Sequence, residues 1–366
     1  MKLEHLTEGK ILKYLVIFFT GLMLLTVIVV FVIKSPQEIK DTILEKQAAS
    51  LLVVDKDPKD VLRVIFNGTG TPLTAHFAQQ STVLAINDNV YVFDIGPRSN
   101  ANFILNMSLE PAFVKAVFIS HTHSDHIGDL GQLNLASWVR GREEPLQVYG
   151  TKLVKELVKG FNLAYKPDRM HRVTHHGADF LQPELGVIEA NTFNVDDGEV
   201  SVFKDDQIEV FAFYVPHDPV IGSVGYRIVC QDRSVIISGD TDLMDDYSFA
   251  NGADLLIHEG IFEQVNKQLE QVARKVGKER MATIFSHINS YHTNMIDYEG
   301  NPGLLSRMEG IDVGMLVLTH LIPPSDNLLV KRKIKEFISK SPVETIVVKD
   351  NDEIHLPLGS DEILVQ

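Results

Sequence analysis

The chain has 366 residues, enough for one large domain or two ordinary ones, and its 45% hydrophobic content suits a sizeable buried core. A single cysteine, Cys230, excludes an internal disulfide framework and any cysteine-rich zinc knuckle, so a metal would have to be held by histidine and carboxylate. The formal charge of -15 sets the overall field against nucleic acid, because polyanion binding usually wants a basic footprint.

Residues 14–33 carry no charge. Wound as a helix they would span a hydrocarbon core of roughly 30 Å. Lys10 and Lys13 precede the run and Lys34 follows it. A cleavable signal is the alternative, but its apolar part would usually be about 7–15 residues and end in small side chains. This run is longer and ends Phe31-Val32-Ile33-Lys34, which predicts an uncleaved single-pass anchor over residues 1–34. Lys2, Lys10 and Lys13 before the span balance Lys34, Lys40 and Lys46 after it, so the positive-inside rule does not orient it. The simplest expectation for such an anchor places the large C-terminal part outside the cytoplasm. Residues 35–60, rich in charge and holding Pro36 and Pro58, read as a linker or stalk, and residues 61–366 as the globular domain.

That domain opens on a strand, Val61-Leu62-Arg63-Val64-Ile65-Phe66, followed by the loop Asn67-Gly68-Thr69-Gly70-Thr71-Pro72. No Gly-x-Gly-x-x-Gly opens a helix here, so the loop is not a dinucleotide fingerprint. Residues 81–86 and 89–95 form a predicted hairpin around Asn87-Asp88-Asn89. Leu130, Leu133 and Leu135 mark an amphipathic helix that places Trp138 in the core. Residues 151–160 and 262–276 read as helices. His171, His175 and His176 read as a loop near the pocket or plain surface. Later strand candidates are residues 210–215, 225–230, 235–237, 255–257 and 315–318. The tail, residues 346–358, reads as two short strands around Asp350-Asn351-Asp352 that close a sheet. Strands with helices between them suggest stacked sheets covered by helices.

The densest chemistry lies in His121-Thr122-His123-Ser124-Asp125-His126, after apolar residues 116–119 and before Gly128. In a loop after a buried strand, alternate side chains can converge. His121 and His123 could bind one metal while Asp125 and His126 turn toward a second. Imidazole and carboxylate together suit zinc or a similar borderline ion. An accidental polar loop is the bland alternative. Three further donors at strand ends weigh against it: His217 after residues 210–215, Asp240 after 235–237, and His320 after 315–317.

These pieces, in this order, resemble the metallo-β-lactamase superfamily over about residues 61–358. Within it the chain is similar to the ribonuclease Z and arylsulfatase-like branch. The matching pieces are Asn67-Gly-Thr-Gly-Thr-Pro72, Pro216-His217 with Gly225-Tyr226-Arg227, Gly239-Asp240-Thr241, His258-Glu259, and His292-Thr293. The resemblance implies a four-layer αββα sandwich and two divalent ions, most simply zinc. One ion would take His121, His123 and His217, the other Asp125, His126 and His320, and Asp240 would bridge them. It also implies that Asp125 orients or deprotonates a metal-held hydroxide. His292 would protonate the leaving oxygen, Glu259 would set the tautomer of His292, and Asp94 would partner a ligand histidine.

Three departures bear on function. The box reads His258-Glu259-Gly260-Ile261, without the family's Ala-Thr pair; residues 160–200 hold no Gly-Pro-rich arm for gripping transfer RNA; and Leu321-Ile322-Pro323-Pro324 follows His320 in place of serines. With the acidic charge and the anchor, they favour a membrane-anchored dinuclear hydrolase of a small-molecule phosphodiester or sulfate ester, with a homodimer left open. A ribonuclease Z-type 3′ processing endoribonuclease is the main alternative. A lactonase or thioesterase, or a non-catalytic metal-binding module, stands behind it. Asp240 in place of a bridging cysteine argues against a β-lactamase.

Overall fold

Alternate residues of each strand pack in opposite directions, and that alternation builds two sheets with one core between them. The computed structural model describes residues 58–366 except 73, 75, 107, 197 and 327, together with Phe18, Gln37 and residues 41–46. The chain divides into two units, Met1–Val54 and Asp55–Gln366. In the first, residues 41–46 are helical. Among the described residues no helix is long and apolar enough to cross a membrane. The expected span, residues 14–33, lies outside them apart from Phe18.

The second unit holds the sheets. In the first sheet β1 (Val61–Gly68), β2 (Ser81–Ile86), β3 (Asn89–Phe93), β4 (Val114–Phe118), β5 (Leu146–Gly150) and β6 (Ile188–Thr192) are consecutive neighbours. The second sheet holds β7 (Glu199–Lys204), β8 (Glu209–Tyr214), β9 (Val224–Cys230), β10 (Arg233–Ile237), β11 (Ala253–Ile261), β12 (Val313–Ile322) and β13 (Thr345–Val347), again in chain order. Strands β14 (Glu353–Pro357) and β15 (Leu364–Val365) return to the first sheet beside β1. The predicted pair in residues 346–358 is thus corrected: β13 pairs with β12 and β14 with β1, so the turn between them crosses from one sheet to the other.

Leu62, Val64 and Phe66 of β1 meet Val235 and Ile237 of β10 in the core between the sheets, with Tyr226 and Phe118. Ile65 and Ile236, one residue out of phase, face outward. Helices cover both outer faces. On the first, α1 (Ser99–Leu105), α3 (Leu130–Val139) and α4 (Val154–Ala164) bury Phe103, Leu130, Leu133, Val154 and Val158. Between α1 and α3 lies the short α2 (Ser124–Ile127). On the second, α8 (Leu304–Arg307) and α9 (Leu328–Ile338) bury Leu304, Val330, Ile334 and Phe337. The result is the expected αββα layering.

Trp138 is buried in α3 and its indole donates to Gln182 O at 3.0 Å. The helix expected at residues 151–160 is α4, shifted toward its C-terminus. His171, His175 and His176 are not in a loop: they lie exposed on α5 (Lys166–His176), which follows α4 directly. Two more helices, α6 (Glu263–Lys275) and α7 (Glu279–Ile288), pack on each other and lead to the loop bearing His292.

Candidate metal centre

Strands β3 to β6 are mutually parallel, as are β10 to β13. Loops leaving the C-terminal ends of such strands share one edge, where ligands of open α/β sheets collect. The run His121 to His126 leaves β4, His217 leaves β8, Asp240 leaves β10, and His320 sits near the end of β12. Two glycines permit the close approach. A Cβ on Gly96 would lie 2.0 Å from Asp125 O, and Gly239, at φ +64°, would bring one to 2.8 Å from Val224 O.

His320 reaches the centre through an irregularity. His258 pairs with Leu318 and Gly260 with Leu321, so Thr319 and His320 together oppose Glu259. This bulge carries His320 at φ 48°, in the left-handed region that a β-strand avoids. Its N–H donates to Thr69 O at 3.1 Å, which fixes it on the opening loop. That loop is held in turn by Asp350, whose Oδ1 accepts from Thr69 N at 3.0 Å and whose Oδ2 accepts from Ala78 N at 2.6 Å.

The structure brings the seven predicted donors into two groups that share Asp240. His121, His123, His217 and Asp240 have donor atoms within 4.8 Å of one another, as do Asp125, His126, Asp240 and His320. The two oxygens of Asp240 divide between them. Its Oδ2 lies 3.9 Å from His121 Nε2, while Oδ1 lies 3.3 Å from His126 Nε2 and 3.6 Å from His320 Nδ1. All but His123 are buried.

Three of the five donor histidines, His121, His126 and His217, are oriented from behind. Asp94, at φ 55°, accepts Ser120 N on Oδ1 at 2.8 Å. Its Oδ2 takes Ser120 Oγ at 2.7 Å and faces His126 Nδ1 at 2.8 Å. Ser120 Oγ lies 3.1 Å from His121 Nδ1. Tyr291 O faces His217 Nδ1 at 2.9 Å. These contacts turn the opposite ring nitrogens inward. His126 Nε2, His217 Nε2 and His320 Nδ1 are buried without a hydrogen-bond partner, which a neutral fold would leave at a cost of about 1–3 kcal/mol each.

The electrostatics fit cations. Burial, with its histidine neighbours, holds His121 well below the usual imidazole range, and burial also lowers His123 and His217. Three neutral imidazoles with lone pairs turned to one point make a zinc-type donor set. Burial alone would lower His126, but Asp240, Asp94 and Asp125 drive it well above the usual range. That side of the centre therefore attracts positive charge, which a divalent ion supplies more fully than a proton.

Glu259 and His292 stand beside this centre. The β11 alternation splits His258 from Glu259. His258 turns to the outer layer, 3.1 Å from Tyr247 Oη. Glu259 turns inward, and its Oε1 accepts Thr293 N at 3.0 Å and Thr241 N at 3.3 Å. Its Oε2 lies 3.2 Å from His292 Nδ1. Burial would lower His292, but Glu259, then Asp240 and Asp125, push it up to about 9. Glu259 is the first of these partners and the one in direct contact with the ring. His171, His175 and His176 enter neither donor group.

Ser120, Tyr291 and Asp350 escape sequence reasoning. Ser120 and Tyr291 each adjoin a predicted histidine, so adjacency was their only signal. Asp350 lies in a turn 281 residues from its partner Thr69 and left none.

Comparison with known proteins gives the same frame. The profile of the Metallo-beta-lactamase superfamily matches residues 76–287. Ribonuclease Z of Mycobacterium sp. (strain KMS) is 28% identical over 270 residues, 72% of this chain and 85% of that one. Ribonuclease Z of Mycobacterium bovis (strain BCG / Pasteur 1173P2) is 27% identical over 268 residues, 72% of this chain and 87% of that one. A metallo-beta-lactamase fold protein from Bacillus subtilis superposes with TM-score 0.57 at 20% identity, covering 81% of this chain and 100% of that one. The short form of human tRNase Z superposes with TM-score 0.53 at 18% identity, over 81% and 100% of the two chains. The likeness to these structures is one of fold.

Proposed function

This chain belongs to the metallo-beta-lactamase superfamily as a metal-dependent hydrolase, and from that premise we propose that it cleaves phosphodiesters as a ribonuclease Z-type enzyme. The observation that carries this reading is the pair of donor groups meeting at Asp240, in a chain whose relatives of comparable length are named Ribonuclease Z. Their name weighs against the expectation that acidic charge disfavours nucleic acid.

In this reading His121, His123 and His217 would hold one divalent ion and Asp125, His126 and His320 a second, with Asp240 common to both donor groups; zinc suits the donors. Bound there, the ions would neutralise phosphoryl oxygens and lower the pKa of water. Asp125 lines the cavity and takes the proton of the attacking water. His292, charged beside Glu259, delivers a proton to the leaving oxygen. Asp94 and Tyr291 O keep His126 and His217 in their ligating tautomers.

One observation favours a second reading, a small-molecule phosphodiester or sulfate ester. Among the described residues no lysine or arginine lines the cavity beside the centre, in a chain that carries a charge of -15. The apolar run at residues 14–33 adds a membrane tether to this reading, with the catalytic domain outside the cytoplasm; a C-terminal reporter fusion tests which side it faces.

The deciding experiment offers the zinc-loaded full chain a precursor transfer RNA, bis(4-nitrophenyl) phosphate and 4-nitrophenyl sulfate. Cleavage of the RNA at its 3′ side supports the first reading. Turnover of an aryl ester alone supports the second. Activity that survives both chelator and Asp125→Ala overturns the metal-hydrolase mechanism.

A further inference from the structure

Next to the metal centre lies a cavity of about 270 Å³, just under the roughly 300–1,000 Å³ of drug-sized sites. One wall is the donor set. The other is apolar: Pro72 from the opening loop, Ile284 and Ile288 from α7, Tyr291 after it, and Ile322 from β12. These isoleucines form a small apolar cluster of their own. Ile261, Ile288 and Ile322 are its buried members, and half-buried Ile284 and Tyr291 pack on them. The cluster is separate from the cores that hold the sheets together. Of its members Ile284, Ile288, Tyr291 and Ile322 line the cavity.

Tyr291 packs against two histidines of the site. Its carbonyl faces His217 Nδ1 at 2.9 Å, and its ring lies 4.9 Å from that of His292 and 5.6 Å from that of His217. An aromatic ring flanked by isoleucine makes a platform for another ring, worth more than its area alone. Among the described lining residues no lysine or arginine side chain shares this apolar wall.

Resting on the hydrolase reading above, we propose that this wall determines specificity by receiving a planar ring, aryl or nucleobase, carried on one ester arm of the substrate. Ile284 and Tyr291 are the discriminating residues. The wall holds the ring while the donor set holds the phosphoryl group, which orients the ester for attack.

The test measures binding, so it does not depend on turnover. Calorimetry on the zinc-loaded full chain compares phenylphosphonate with methylphosphonate, and uridine 5′-monophosphate with ribose 5-phosphate. Each pair shares its charged group and differs in the ring. The ring-bearing member of at least one pair should bind about tenfold tighter or better. Preference in the first pair identifies an aryl arm, and preference in the second a nucleobase. Tyr291→Ala and Ile284→Asn should abolish the advantage while metal content stays unchanged, and Tyr291→Phe should keep it. With bis(4-nitrophenyl) phosphate, Tyr291→Ala should raise KM about tenfold, and Tyr291→Phe should leave it near the wild-type value. Equal affinity within both pairs, or an advantage that survives both variants, overturns the inference. A chain that binds the ring-bearing ligands preferentially but turns over no ester would instead overturn the hydrolase reading.

Discussion

Asp94→Asn tests how the centre sets the charge state of its ligands. Asp94 sits at φ 55°, a conformation that asparagine tolerates, so the substitution leaves the backbone unstrained. The side chain keeps its shape but must donate with one of its two atoms. Ser120 N donates to Oδ1 at 2.8 Å, so the amide oxygen stays there. The amide nitrogen then takes the Oδ2 position, 2.8 Å from His126 Nδ1, and donates to it. The proton of His126 moves to Nε2, the atom that faces Asp240 Oδ1 at 3.3 Å and would serve as ligand. A lone pair needed for the metal is thereby consumed. The lost charge-assisted bond is worth about 1.5–3 kcal/mol. That equals roughly 10- to 150-fold in affinity, overlapping the roughly 10- to 100-fold usual for such partners. Titration with zinc, followed by calorimetry and by metal analysis after dialysis, should show weakened binding at the group of Asp125, His126 and His320. The group of His121, His123 and His217 should weaken less, since only Ser120 Oγ links Asp94 to it. Two zinc ions per chain bound with unchanged affinities would refute the orienting role of Asp94.

Three further outcomes follow from the same geometry. Glu259→Gln and His292→Ala should each lower kcat by about 10²–10⁴ with little change in zinc content. The double variant should be no worse than either single one, because the two side chains act as a unit; additive losses in steady-state kinetics would separate them. Asp350→Ala strands Thr69 N and Ala78 N, so urea unfolding should report a loss of about 2–4 kcal/mol, and an unchanged midpoint would dissociate Asp350 from the opening loop. Gly96→Ala forces a Cβ to 2.0 Å from Asp125 O, so circular dichroism should show a lowered melting temperature and metal analysis less than two zinc ions per chain; wild-type values for both would show that the loop can yield.

The candidate donors were readable from the chain because few side chains bind borderline metals, and seven of them recur where apolar strands end. The paired sheets were readable for a related reason: Leu62, Val64 and Phe66 alternate with Arg63 and Ile65 at the two-residue period of a strand. Local pattern carries both kinds of information. It does not carry pairing. Residues 346–358 contain two strands whichever sheet they join, and only contact with β12 and β1 separates them. By pattern His320 only follows a strand, whereas in the structure it lies within β12 on a bulge that exists only against Glu259 on β11. The apolar wall is assembled from Pro72, Ile284, Ile288, Tyr291 and Ile322, which no sequence window contains. Such features rest on contacts between residues tens to hundreds of positions apart, and these form only when the chain has folded.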